Sequence, residues 1–285
     1  MMKKNLILRS LLLLILMALA LAVCFPVLFL FAGSFMGTDE LNHFLGPVLN
    51  HKDGFASWAL LPSYPTFRAY VKLLLDSPEF FVMFWNSAKM TILILLGQIL
   101  TGVPAAWGFA KLKIPFGKQL FRIYIILMLM PFQVTMLSNY LTLNQFDLID
   151  THWAVILPAV FSTFPVFIMY HFFKNIPDSI IESTKLDGAN RFQTFWYIGI
   201  PLGSGGIVSA LVLSFLDVWN LIEQPLTFLK TKALWPLSLY LPNIDMDNAG
   251  LAFVASVITL IPSLLVFLAG QNYLEQGIAA SAVKE

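Results

Sequence analysis

Residues 182–201 read ESTKLDGANRFQTFWYIGIP. Two acids, two bases and a glycine lead into an aromatic stretch that stops at a proline, and long apolar runs flank the interval on both sides. The residues just before it, from Lys174, read KNIPDSII. Pro177 breaks the preceding helix, because proline lacks the N–H a helix interior needs. Ser179 and Glu182 stand at the spacing of a capping box, in which the hydroxyl caps a helix and the acid three residues on reaches back. A short helix from about Ser179 to Asp187 is predicted, stopped by Gly188, since glycine readily adopts the left-handed conformation that ends helices. Ile180, Ile181 and Thr184 share one of its sides. Phe192, Phe195 and Trp196 then recur at helical spacing, which predicts an amphipathic helix in the membrane interface, with Pro201 starting a turn into the next span. Helix connections usually take about 2–8 residues, and this one occupies 174–202. On the residues alone it is either an over-long connector or a docking element.

The surroundings decide that the setting is a membrane. The 285 residues have a mean hydropathy of +0.78 and only 12% charged residues, with 26 phenylalanines; a soluble domain averages about 25% charged. Apolar runs of about 20 residues suffice to cross a bilayer. Six transmembrane helices are predicted, at about 11–31, 80–109, 120–143, 153–173, 203–226 and 251–273, making the chain an all-α integral membrane protein. Pro104 and Pro131 interrupt the second and third, which a bundle tolerates because neighbouring helices satisfy the freed backbone groups. The first run begins with Lys3, Lys4 and Arg9 and contains LAVC at 21–24, so a cleaved signal or a lipoprotein site is the competing reading. Its length and the bulky Val23 before Cys24 favour a retained helix.

Cationic residues concentrate in the cytoplasmic loops of membrane proteins. With the N-terminus and C-terminus cytoplasmic, Lys3, Lys4, Arg9, Lys111, Lys113, Lys118, Arg122, Lys174, Lys185, Arg191 and Lys284 lie inside, against Lys52, Arg68, Lys72, Lys230 and Lys232 outside. The expected organisation is an N-terminal transmembrane helix (1–33), an extracytoplasmic segment (34–79) with a small helix around Thr66 to Leu75, a core (80–274) holding the cytoplasmic loop 174–202 and an outer loop 227–250, and a cytoplasmic tail (275–285).

Cys24 is the single cysteine, which excludes an internal disulfide and a cysteine metal cluster. The four histidines show no ligand spacing. There is no phosphate-binding G-x-x-x-x-G-K-[ST] loop and no H-E-x-x-H, so neither an ATP site nor an intramembrane metalloenzyme is indicated. Polar residues inside spans line cavities or bind neighbouring helices. Candidates are Asn86, Lys89, Gln98, Gln133, Asn139, Asp217, Asn220, Glu223 and Gln224. Asp217, Asn220 and Glu223 or Gln224 recur at three- and four-residue spacing, which predicts one face of the fifth helix, with Trp219 nearby as a stacking surface. That face is either a substrate pathway, with Asn139, or a set of inter-helix hydrogen bonds. A stand-alone secondary transporter or channel is the alternative function; such proteins often carry inverted repeats, and no clear repeat is visible.

At this point the spacing carries a resemblance. Glu182-Ser183-Thr184, three residues, Gly188, nine residues, then Ile198-Gly199-Ile200-Pro201 resembles the cytoplasmic motif of binding-protein-dependent ABC importer permeases, with Ser183 and Thr184 in place of two alanines and Ile200 in place of a leucine. LDGANRFQTFWYIGIPL (186–202), FLDVWNLIEQPL (215–226) and the tail YLEQGIAASAVKE (273–285) are similar to the sugar-importing branch and its maltose-type second permease; Glu223 and Gln224 depart from the family's usual apolar pair. The resemblance covers about 80–285 and implies a type I ABC importer-like permease fold in the cell's inner (cytoplasmic) membrane. It implies four kinds of partner: membrane lipid, a second permease subunit, two cytoplasmic ATPase subunits that bind ATP and Mg, and an extracytoplasmic sugar-binding protein. No nucleic acid, metal or cofactor is implied for this chain. Glu182, Ser183, Thr184, Asp187, Gly188, Ala189 and Pro201 would dock the ATPase and couple its closure to alternating access for a sugar or oligosaccharide. The tail from about 277 would touch the ATPase, and the loop at about 229–247 would reach the binding protein.

Overall fold

A computed structural model of the chain describes residues 2–49, 55–57, 59, 61–240 and 248–282, and their side chains at 9, 11–48, 55–57, 59, 61–240 and 248–275. No strand occurs among the described residues. Five helices among them are long and apolar enough to cross a membrane, at Leu11–Ser34, Pro78–Lys111, Trp153–Asn175, Arg191–Trp219 and Ala249–Glu275; a bent pair makes a sixth if it counts as one span. Residues 241–247 of the outer loop, residues 283–285 and the side chains of 276–282 lie outside the described residues, and so do the side chains of the expected ATPase-touching tail, its last three residues and the end of the loop expected to reach a binding protein.

The chain divides into two compact units, residues 1–81 with 241–261 and residues 82–240 with 262–285. The first contains α1 (Met2–Ser34), α2 (Thr38–Leu49), α3 (Arg68–Asp76) and the first turns of α13 (Ala249–Ala282). The apolar surface of α1 from Leu11 to Leu21 is exposed, which lipid would cover. Near its end the helix is held by packing: Phe29 meets the edge of Phe253 at 5.5 Å, and Met36, Leu41 and Ala249 are buried with Phe44, Leu45 and Phe253 around them. The Ser34 hydroxyl lies 2.9 Å from the Tyr70 hydroxyl, fixing α3, the small helix expected near Thr66. α2 has no counterpart in the expectations.

The second unit holds most of α4 (Pro78–Lys111), then α5 (Gly117–Met128), α6 (Phe132–Gln145), α7 (Trp153–Val160), α8 (Thr163–Asn175), α9 (Asp178–Leu186), α10 (Arg191–Thr194), α11 (Ile200–Trp219), α12 (Glu223–Phe228) and the later turns of α13. The two prolines expected to interrupt spans behave differently. Pro104 sits inside an unbroken α4. Pro131 is extended (ψ 150°) and separates α5 from α6, which meet at 102°. The third predicted span is therefore two helices. Proline pushes the residue before it out of the helical region, and Met130 is left in a bend rather than carried through.

Two further expectations are corrected. Pro201 starts no turn: α10 runs through a wider turn at Phe195–Gly199 into α11. There the Ile200 N–H reaches the carbonyl of Phe195, five residues back. A proline ring normally collides with the carbonyl four residues earlier, and the widened turn immediately before Pro201 relieves that collision while the helix goes on. The fifth helix also stops early. It ends at Trp219, and the Asn220 side-chain amide donates to the Leu216 carbonyl at 2.8 Å. Glu223 and Gln224 belong to α12, so Asp217, Asn220 and Glu223 do not form one helix face.

Candidate functional site

The stretch that opened the sequence folds into an exposed helix anchored from beneath. α9 follows Pro177, which makes no side-chain cap. The expected Ser179–Glu182 box is absent because Ser179 is already the second residue of the helix, past the capping position. Anchoring comes instead from the end of α4. The Lys111 ammonium donates to the Ile176 carbonyl at 2.5 Å and to Asp178 Oδ1 at 2.7 Å. Its side chain is 6% exposed while that of Asp178 is 81% exposed. Hydrogen bonding from Lys111, then its charge, holds the Asp178 carboxyl below the usual carboxylate range. Ile181 packs onto a buried cluster of Val103, Trp107, Met169 and Phe173.

The far end of α9 closes with a double bond pattern. The Ala189 N–H donates to the Thr184 carbonyl at 3.0 Å and the Gly188 N–H to the Lys185 carbonyl at 3.1 Å, while Gly188 adopts φ +84°. This is the six-to-one, five-to-two closure that a left-handed glycine permits. A side chain at Gly188 would meet nothing within 4 Å. Ser183 and Thr184 turn their hydroxyls onto their own helix, at the Ile180 and Ile181 carbonyls. Glu182, Lys185, Leu186 and Asp187 are left exposed, with Leu186 at 90%. Beside α9 a cleft of about 610 Å³ is lined by Lys111, Lys113, Lys185 and Arg191.

After Gly188, Asn190 caps α10 in a capping box with Gln193, both bonds at 2.9 Å. The residue type at each of those positions carried that signal. Phe192 and Trp196 stack on the exposed side, ring centres 6.1 Å apart. On the inner side Phe195 meets Trp107 at 5.8 Å, and Trp107 meets the edge-on ring of Phe173 at 5.4 Å. Gly199, Gly203 and Gly206 form the contact stripe of this continuous helix: a methyl group at Gly199 would lie 2.8 Å from the Trp107 ring, and one at Gly203 or Gly206 would overlap Phe173 or Phe172. Small residues let helix backbones approach closely where lipid supplies no hydrophobic drive. The exposed helix is thus fixed to α8 and α11 through a short, tightly packed route.

The six pathway candidates separate. Asn139 on α6, Asp217 on α11 and Gln224 on α12 line a cavity of about 590 Å³ together with Gln98 on α4. Gln98 is 3% exposed; its Nε2 donates to the Ala159 carbonyl at 2.9 Å, while Gln98 Oε1 and Gln224 Oε1 are buried with no hydrogen-bond partner among the described residues. Trp219 is buried against Phe84 and Phe215. Asn220 ends its own helix, and Glu223 accepts from Gln133 Nε2 at 2.7 Å, joining α12 to α6. Of the other intramembrane candidates, Asn86 donates to the Ala233 and Trp235 carbonyls, and Lys89 is exposed. The described part of the outer loop is tied down: Asp150 accepts from the Lys230 and Thr231 N–H groups and the Thr231 hydroxyl, and the Leu237 N–H donates to the Ser87 hydroxyl.

Residues 98–280 match the family described as the binding-protein-dependent transport system inner membrane component. The lactose transport system permease protein LacG of Rhizobium radiobacter is 26% identical over 260 residues, 90% of each chain. The arabinooligosaccharides transport system permease protein AraQ of Bacillus subtilis is 26% identical over 271 residues, 94% of this chain and 93% of its own. Among solved structures, a chain of a bacterial ABC transporter that imports the acidic polysaccharide alginate superposes with a TM-score of 0.80 at 20% identity, over 95% of this chain and 97% of that one. That likeness is one of fold.

Proposed function

The chain belongs to the family of binding-protein-dependent transport system inner membrane components, and from that premise we propose that it forms half of the translocation path of an ATP-driven carbohydrate importer. It is a transport subunit and not an enzyme. A second permease completes the path, two ATPase subunits carry ATP and Mg, and an extracytoplasmic binding protein delivers the sugar. α9 is the handle on which an ATPase acts. The observation that supports this role is its combination of an exposed outer surface with a rigid underside: Glu182, Leu186 and Asp187 project freely, while Ile181, Lys111 and the glycine-packed helix from Arg191 onward bind the element to the spans. A lever needs that division, because force applied to a loosely held helix would be lost in local motion. The carbohydrate assignment rests on relatives named for lactose and arabino-oligosaccharide transport. Both termini and 174–202 are cytoplasmic in this reading, and the segments proposed above keep their boundaries.

The test uses tagged chain co-expressed with its partner permease, ATPase and binding protein. Wild-type chain is expected to co-purify with the ATPase and to support ATP-dependent uptake of a neutral oligosaccharide. Gly188→Asn keeps the left-handed backbone, which asparagine tolerates, but adds a side chain where a docked backbone would lie. Glu182→Lys reverses an exposed charge. Both variants are expected to insert normally and to lose ATPase association, with uptake down about tenfold or more, equivalent to about 1.4 kcal/mol of coupling. Wild-type uptake in both, or uptake by the chain with no ATPase present, overturns the handle and favours a stand-alone transporter.

A further inference from the structure

We infer that the basic cleft beside α9 is a binding site for a phosphate group, and that its occupant is the headgroup of an anionic phospholipid. The inference needs only the cleft and a bilayer, so it stands or falls separately from the importer reading. The first observation is a set of donors with no acceptor among them. The cleft, of about 610 Å³, is lined by Lys111, Lys113, Lys185 and Arg191, and no acid stands among its described lining residues. Lys111 is engaged by the Ile176 carbonyl and Asp178. Lys113, Lys185 and Arg191 make no ion pair among the described residues. They come from three separate segments: the connection after α4, the last turn of α9 and the first position of α10. Like charges gathered in one place repel, and an anion set among them relieves that repulsion. Phosphate oxygens suit the role, because each accepts charge-assisted hydrogen bonds from lysine and arginine.

The second observation lies in the wall of the cleft. Trp107 is 5% exposed, and a buried indole N–H usually finds a partner. This one makes no hydrogen bond among the described residues, yet it is not sealed from solvent. The ring atoms nearest Gly199 are Cζ3, Cε3 and Cη2. The benzene edge is therefore packed, the edge bearing the N–H is turned the other way, and the ring borders the cleft. An indole nitrogen only donates, so it adds a fixed neutral donor to the three long-stemmed cations. The third observation selects the source of the phosphate. Leu112 and Phe116 follow α4 near Lys113, and the stacked Phe192 and Trp196 follow Arg191; all four are exposed. A soluble phosphate leaves such apolar surface bare, whereas a phospholipid brings acyl chains that cover it. Cations set beside exposed aromatic and aliphatic side chains are the pattern that anionic lipid surfaces bind. In the proposed topology the cleft opens at the cytoplasmic face.

The experiment purifies the full chain, assembled with its partner permease and ATPase, in micelles containing equal amounts of radiolabelled phosphatidylglycerol and phosphatidylcholine. Lipid retained through a size-exclusion column is counted, and the same column checks that each variant assembles. Wild type is expected to retain phosphatidylglycerol about tenfold over phosphatidylcholine, and to keep it in excess inorganic phosphate. Lys113→Gln combined with Arg191→Gln is expected to lower that ratio about tenfold, as loss of charge-assisted hydrogen bonds implies. Trp107→Phe keeps an aromatic ring in place and removes the N–H; it is expected to lower the ratio about threefold, a loss that diffuse surface charge does not produce. Lys118→Gln removes an exposed cation outside the cleft and is expected to leave the ratio unchanged. An unchanged ratio in the paired variant overturns the site, and so does an equal loss in Lys118→Gln. An unchanged ratio in Trp107→Phe overturns the indole's part in it. Displacement by inorganic phosphate overturns the lipid as occupant. A preference that appears only when the ATPase is left out does the same, because the cleft then belongs to a contact between proteins.

Discussion

Asp178 and Lys111 are far apart in sequence and meet at 2.7 Å. Because hydrogen bonding from Lys111 lowers the pKa of Asp178 in the folded protein, the tie contributes stability above the carboxyl's unfolded pKa, about 3.9, and loses it as pH falls through the lower folded value. Hydrogen-exchange protection of 178–187, corrected for intrinsic rates, is expected to fall over that acidic window in wild type. In Asp178→Asn it is expected to start lower at neutral pH and lack that acid-range loss; identical profiles would remove the tie from the anchoring account. At this scale the sequence was uneven in what it disclosed. Gly188 was legible, because few residues adopt φ +84° and its place after a short polar helix is where such a residue belongs. Ser179–Glu182 had the correct spacing and the wrong frame: Pro177 already occupied the position before the helix, which spacing alone does not reveal. Asn190–Gln193, where the box does form, lay inside a stretch read for its aromatics. The Lys111 tie left no local trace, since it joins residues 67 positions apart.

Helices reveal their periods more readily than their ends. The polar spacing at Asp217, Asn220 and Glu223 fits a continuous helix, yet the chain leaves helical geometry at Asn220, whose side chain bonds back to its own last turn instead of facing a neighbour. Periodicity sees residue types and not this competition between side chain and backbone. Pro104 and Pro131 make the same point: the residue is identical, yet one lies inside a continuous helix and the other separates two. The glycine stripe, in contrast, has a direct test. Gly203→Ala places a methyl group on the Phe173 ring, and overpacking of this kind typically costs about 1–3 kcal/mol. Thermal unfolding in detergent is expected to show a lowered midpoint, restored in part by Phe173→Leu, which makes room. A double variant no better than Gly203→Ala alone would place the cost elsewhere.

For the whole molecule, composition and the length of the apolar runs pointed to a membrane protein built of helices, and the 182–201 spacing pointed to the family that the match over residues 98–280 shows. Neither determines which way it faces. In the topology proposed from the excess of basic residues on one set of loops, α9 would lie on the cytoplasmic side and the Lys230–Lys232 loop on the other. Cys24 is the single cysteine and is exposed, so a Cys24→Ala background provides a clean reporter. Ser183→Cys is expected to react with a membrane-impermeant maleimide in inside-out vesicles, and Lys232→Cys in right-side-out vesicles. Labelling of both from one side would invert or abolish the proposed topology. The partition of the polar candidates was beyond composition: Trp219 and Asn139 look equally placed to touch cargo in a linear sequence, and packing against Phe84 and Phe215 buries the first while the second borders a cavity.

The widened turn at Phe195–Gly199 has a consequence for phase. An ordinary helix advances about 100° per residue, and a turn closed five residues back instead of four accommodates one residue more than the regular spiral. The capped start at Asn190 and the glycines at 203 and 206 are therefore offset, in angle, from where an unbroken spiral would set them. Deleting one residue within 195–199 would restore the regular spiral and leave the glycines on Phe172 and Phe173. Straightening the turn without deleting a residue would instead swing Arg191, Phe192 and the attached α9 around the axis by about 100°. The turn acts as an angular spacer: it sets the azimuth at which α9 leaves the spans, independently of how firmly α9 is held.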